Sequence, residues 1–123
     1  MKDNQKVRFV TINIKLNKKV QETMDKVDIL IDLLLGDEGF LIKLRLGQGF
    51  DNSKFEKIKV VLKELALEWE KESAIPKKAC DIFVDFSLAI EGTLNLYDES
   101  TRYIIMKAED DIMDLIRACV CNY

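Results

Sequence analysis

Turn-forming residues are scarce in this chain, and their scarcity limits the folds that it can adopt. The 123 residues include one proline and five glycines. Break signals fall at residues 36–39, 47–53, 73–76 and 98–100. The last three separate segments of about 20 residues, whereas strand-rich folds turn about every 8–12 residues. Segments of this length are typical of helices, so the sequence predicts one mainly helical domain.

The clearest helix is predicted at residues 53–72. Ser53 and Glu56 form a capping-box pattern at its start. Apolar residues then recur at three- and four-residue steps, which is typical of a helix with one buried face. These residues are Phe55, Ile58, Leu62, Leu65 and Trp69.

A second helix is predicted at residues 17–35, with Asn17 as a candidate cap and Gly36 as a candidate end. Its apolar stripe is wider than one face, because Leu30, Leu33 and Leu35 extend it. A stripe this wide predicts a helix at the centre of the core or in an interface.

The segment 76–97 fits two secondary structures. As a helix it has Pro76 at its first position and one apolar stripe, formed by Ala79, Phe83, Phe86, Ile90, Leu94 and Tyr97. As a strand it alternates through Ile82, Val84, Phe86, Leu88 and Ile90. Residues 99–121 have helical spacing, with Asp98 as the predicted cap. We predict a mainly α fold, a four- or five-helix bundle; the alternative is an α+β fold with strands near 7–16, 40–46 and 80–90.

Histidine is absent from the sequence. Its absence excludes the Ser-His-Asp and Cys-His nucleophile systems and most zinc sites. The three cysteines, Cys80, Cys119 and Cys121, have no framework spacing. We interpret them as reduced thiols packed as small apolar side chains. The sequence therefore predicts no catalytic residue, no cofactor and no metal site.

Charge is distributed unevenly along the chain. The net charge is −3, with six basic residues against one acidic in residues 1–19 and five against nine in residues 76–123. An acidic chain disfavours sequence-independent nucleic-acid binding. Neither a signal peptide nor an apolar run long enough to span a bilayer is evident, so we expect a cytosolic protein with no membrane partner.

Two further motifs have both a functional and a structural interpretation. Gly47-Gln-Gly49 lacks the third glycine of a dinucleotide fingerprint and the lysine of a P-loop, so a flexible loop is favoured. The carboxylates of residues 109–114 are dense enough to hold Mg²⁺ in an enzyme. Without a phosphate-binding motif beside them, a solvated acidic face is the favoured interpretation.

The helical interpretation of residues 76–97 places Asp81, Val84, Asp85 and Leu88 away from the apolar stripe. Apolar side chains ringed by charge are typical of partner-binding surfaces. The structural alternative is that Val84 and Leu88 are buried, in a two-sided core helix or in a strand.

Three stretches carry a resemblance to a known class of proteins: residues 75–86 (IPKKACDIFVDF), residues 96–100 (LYDES) and residues 108–117 (AEDDIMDLIR). The pattern of apolar and acidic positions resembles parts of small bacterial immunity proteins, which accompany secreted or contact-delivered toxins, often nucleases. This resemblance implies a cytosolic inhibitor without catalysis that covers a toxin domain.

The sequence thus predicts a non-enzymatic protein-binding domain, an immunity-type inhibitor of a bacterial toxin. Its acidic residues would meet basic groups on the toxin, and they are Asp81, Asp85, Asp98, Asp110, Asp111 and Asp114. The alternative is a structural or regulatory homo-oligomer that associates through the apolar helix at 27–35. A homodimer is one form of this alternative. A third hypothesis is a Mg²⁺-dependent enzyme using the carboxylates of residues 109–114.

Overall fold

The helices follow one another along the chain with short connections. The computed structural model describes residues 26–121, and within that range it contains helices and no strand. The helices are α1 (26–35), α2 (Phe40–Arg45), α3 (Asn52–Glu68), α4 (Lys77–Glu91) and α5 (Glu99–Val120), with a 3-10 turn at Leu94–Leu96. The predicted mainly α bundle is confirmed. The alternative strands at 40–46 and 80–90 are wrong, because both segments are helical; the strand at 7–16 and the cap at Asn17 lie outside the described residues.

The ambiguous segment of α4 folds as a helix because its helical stripe is the more continuous apolar surface. Phe83, Phe86 and Ile90 are buried, whereas Val84 and Leu88 are exposed. A strand would have placed Val84, Phe86 and Leu88 on one face. Pro76 is the N-cap of α4, one residue before the position predicted for it.

The start of α3 differs from the prediction. Asp51 caps the helix, since its carboxylate accepts a hydrogen bond from the Lys54 backbone N–H at 3.1 Å. The predicted capping box of Ser53 and Glu56 is therefore wrong. That backbone hydrogen bond is the main reason why the pKa of Asp51 lies below its ordinary value.

The core lies where α3 and α5 pack along one another, which is the most extensive helix contact in the described range. The largest fully buried side chains come from all five helices: Leu30, Phe40, Leu44, Ile58, Leu62, Leu65, Phe86, Ile90, Ile105 and Ile112. The rings of Phe40, Phe50 and Phe55 meet at centroid distances of 5.4 to 6.3 Å. Aromatic pairs at this separation add to the stability gained from burial.

The loop between α2 and α3 is held by one tyrosine. The Tyr97 hydroxyl donates to the Leu44 carbonyl oxygen at 2.7 Å and accepts from the Gly49 N–H at 3.2 Å. Gly47 and Gly49 have positive φ angles of 73° and 100°, which glycine adopts at little cost. The Gly49 N–H therefore binds a side chain of the protein, which agrees with a structural interpretation of the Gly47-Gln-Gly49 motif.

Candidate protein-binding surface

The outward side of α4 carries two apolar residues beside two carboxylates. Val84 and Leu88 are 76% and 74% exposed, and Asp81 and Asp85 are exposed as well. Each pair is separated by four residues, so its members are neighbours on the helix surface. We call these four residues the α4 face. The structural alternative, in which Val84 and Leu88 are buried, is wrong.

The α4 face is predominantly acidic. Lys78 lies on the same helix, but its ammonium group is 3.0 Å from an Asp28 carboxylate oxygen on α1. Half of each partner's side chain is exposed, so this ion pair is solvated and contributes little stability. It nevertheless places the Lys78 charge beside α1. Lys77 is exposed one turn before Asp81, so the charges near Val84 and Leu88 are two carboxylates and one lysine.

The other predicted acidic residues do not form a single surface with the α4 face. Asp98 caps α5, because its carboxylate accepts from the Thr101 N–H at 2.9 Å, and this bond is the main reason why its pKa lies below the ordinary value. Asp110 and Asp114 are exposed on α5, and Asp114 pairs with Arg117 at 2.8 Å.

Asp111 lies on a different side of α5 from Asp110, since consecutive residues are about 100° apart around a helix. It lines a cleft of about 180 Å³ between the start of α3 and α5. The other residues of this cleft are Phe50, Asn52, Phe55, Tyr103, Ile104, Lys107 and Ala108. The predicted acidic surface is thus divided between the α4 face, the α5 cap and two sides of α5.

Glu109 is a buried carboxyl group that the sequence analysis placed in a solvated acidic face. It is only 9% exposed, and its side chain meets Glu91 and Ser87 of α4. Burial is the main reason why the pKa of Glu109 lies above its ordinary value, and the neighbouring Glu91 carboxyl raises it further. The signal for its burial was present, since it lies four residues after Ile105 and three before Ile112, both buried.

Glu109→Gln should change how stability depends on pH. As pH rises through the ordinary carboxyl range, the unfolded chain loses the Glu109 proton while the folded chain retains it. The free energy of unfolding therefore falls, until pH passes the raised pKa of the folded state. Glutamine has no proton to lose, so we expect the variant to match the parent near pH 4 and to be more stable than the parent at pH 7.

Urea unfolding between pH 4 and pH 7 measures this difference. The matched control is Glu64→Gln, at an exposed position of α3, which should leave the pH profile of stability unchanged. Equal stability of Glu109→Gln and the parent at every pH would contradict the prediction.

The cysteines occupy two environments. Cys119 is buried, its thiol donates to the Leu62 carbonyl oxygen at 3.4 Å, and burial raises its pKa to about 11. Cys80 and Cys121 are free and exposed. The interpretation of packed thiols is confirmed for Cys119 and wrong for the other two.

Residues 26–121 contain no group of three or more histidine, cysteine, aspartate or glutamate side chains placed to hold a metal ion. No helix in this range is long and apolar enough to cross a membrane. Comparison with protein-family models, with curated proteins and with solved structures found no significant match.

Proposed function

We propose that this chain is a non-catalytic protein-binding domain, and specifically an immunity-type inhibitor that neutralises a toxin domain. The observation that carries the proposal is the exposure of Val84 and Leu88 beside Asp81 and Asp85. An isolated apolar side chain on a surface is common, but two adjacent ones with three-quarters of their area in water are typical of a binding site.

The chemistry of the α4 face favours a basic partner. Apolar contacts at the centre of an interface slow dissociation, and complementary charge around them accelerates association. A nuclease domain has basic groups that bind nucleic-acid phosphates, and these groups would meet Asp81 and Asp85. The inhibitor would then cover the substrate-binding surface of the toxin without any reaction.

The proposal predicts that Val84→Lys combined with Leu88→Lys abolishes protection. The experiment co-expresses the chain with the product of the gene immediately upstream and scores growth and complex formation. The parent chain should restore growth and form a stable complex. The double variant should bind at least tenfold more weakly, because two lysines replace the apolar contacts and meet a basic partner.

The matched control is Leu67→Lys, since Leu67 is 73% exposed on α3 and lies outside the α4 face. A second arm reverses the charge of Asp81 and Asp85 and should slow association. Its control reverses the exposed Glu64 of α3 and the exposed Glu70 in the turn after it, which changes the net charge equally. A harmless upstream product, or equal binding by the double variant and the parent, would overturn the proposal.

A further inference from the structure

A second apolar surface lies between α1 and α3. Ile29 and Leu33 of α1 form one wall, and Val60 and Val61 of α3 form the other. Glu56 and Lys57 complete the lining of this groove, whose volume is about 350 Å³. We call it the α1–α3 groove.

The groove is open although its lining is apolar. Ile29 is 49% exposed and Val60 is 53% exposed. An apolar groove of this size that remains in contact with water is a candidate binding site. The predicted width of the apolar stripe on α1 is thus explained, since Leu30 and Leu34 enter the core while Ile29 and Leu33 face the groove.

The two walls are fixed relative to each other. Val27, Leu30 and Leu34 anchor α1 in the core, and Lys26 forms an ion pair with Glu68 across the two helices. A binding segment would therefore meet a preformed site, which lowers the entropic cost of binding.

The chain supplies an apolar segment next to this groove. Residues 1–25 lie outside the described range and join α1 directly at residue 26. Within them, residues 7–16 have apolar side chains at alternate positions: Val10, Ile12, Ile14 and Leu16. Charge does not decide the occupant, because the groove lining contains one carboxylate, Glu56, which pairs with Lys59 at 3.2 Å, and one lysine, Lys57.

The length of the connection permits this contact. Residue 16 is ten positions before residue 26, so a fully extended connection spans at most about 33–36 Å. The described part of α1, residues 26–35, is about 15 Å long, and a helix continued back to the predicted start at residue 17 would leave residue 16 only about 15 Å before residue 26. A short tether also gives an effective concentration in the millimolar range, which favours a segment of the same chain over a second molecule.

We propose that residues 7–16 of the same chain bind in the α1–α3 groove. The apolar side chains of the segment cover Ile29, Leu33 and Val60. The groove is then an intramolecular docking site, separate from the α4 face, and the proposal does not depend on the function of that face.

Hydrogen exchange of the full chain tests the proposal, measured at two protein concentrations that differ tenfold. The backbone amides of residues 7–16 should exchange at least tenfold more slowly in the parent than in Val60→Lys, at both concentrations. Ile12→Lys should have the same effect, and combining it with Val60→Lys should add nothing, because either change alone removes the contact.

The control is Leu88→Lys, an exposed position of α4, which should leave the exchange of residues 7–16 unchanged. The fluorescence of Trp69, which is buried, reports whether each variant is folded. Protection that depends on protein concentration would assign the groove to a second copy of the chain and overturn the proposal. Equal exchange in the parent and in Val60→Lys would also overturn it.

Discussion

Replacing Leu65 with alanine should lower the free energy of unfolding by about 3 kcal/mol. Leu65 is fully buried on α3, at the centre of the core formed with α5. The substitution removes three carbons from water-excluded contacts and leaves a cavity that the neighbouring helices fill only in part; leucine-to-alanine changes of this kind cost about 2–5 kcal/mol. Domains of this size are stable by about 5–15 kcal/mol, so the loss is a large part of the total.

Leu67→Ala is the matched control for this measurement. Leu67 lies two residues further along the same helix and is 73% exposed, so the same change there should stay within about 0.5 kcal/mol. Urea unfolding monitored by Trp69 fluorescence gives both values. Equal effects at the two positions would mean that the assigned inward face of α3 is wrong.

Tyr97→Phe should cost about 2 kcal/mol, although it removes only one oxygen atom. That oxygen donates to the Leu44 carbonyl and accepts from the Gly49 N–H. A typical hydrogen bond contributes about 1 kcal/mol net, and a backbone group left without a partner loses more. The loss of stability should be concentrated in the loop between α2 and α3, because the Leu44 carbonyl and the Gly49 N–H lie at its two sides.

Hydrogen exchange of the Gly49 amide together with thermal unfolding measures this effect. Tyr103→Phe is the control, because Tyr103 is exposed on α5 and its ring should behave like phenylalanine there. An unchanged Gly49 exchange rate in Tyr97→Phe would show that the hydroxyl does not hold the loop.

The sequence was sufficient to predict those parts of the fold where one periodic pattern dominates. The buried face of α3 and the cap at Asp98 were both predicted, because apolar spacing and capping chemistry act locally. The start of α3 was not predicted correctly. Asp51 and Ser53 are both good caps, and only the path of the preceding loop decides between them. In α4, two periodicities shared Phe86 and Ile90, and tertiary packing selected the helical one.

The candidate site could be predicted only where residues share one helix. Asp81, Val84, Asp85 and Leu88 were grouped correctly as one exposed face, because their spacing within a helix fixes their relative positions. Asp98, Asp110 and Asp111 lie on separate surfaces. Their placement depends on how α5 packs against α3 and α4, which no local pattern encodes. The contact of Glu109 with Glu91 joins two helices and could not be predicted for the same reason, although the spacing of Glu109 from Ile105 and Ile112 indicated that it is buried.

The three cysteines differ in their access to solvent, so their reaction with a thiol reagent reports opening of the core. A thiolate attacks an electrophilic thiol reagent, so Cys80 and Cys121, which face water, are open to modification in the folded molecule. Cys119, with its raised pKa and its bond to the Leu62 carbonyl, must first leave the core. Its labelling rate therefore reports how often α3 and α5 separate, without any substitution in the chain.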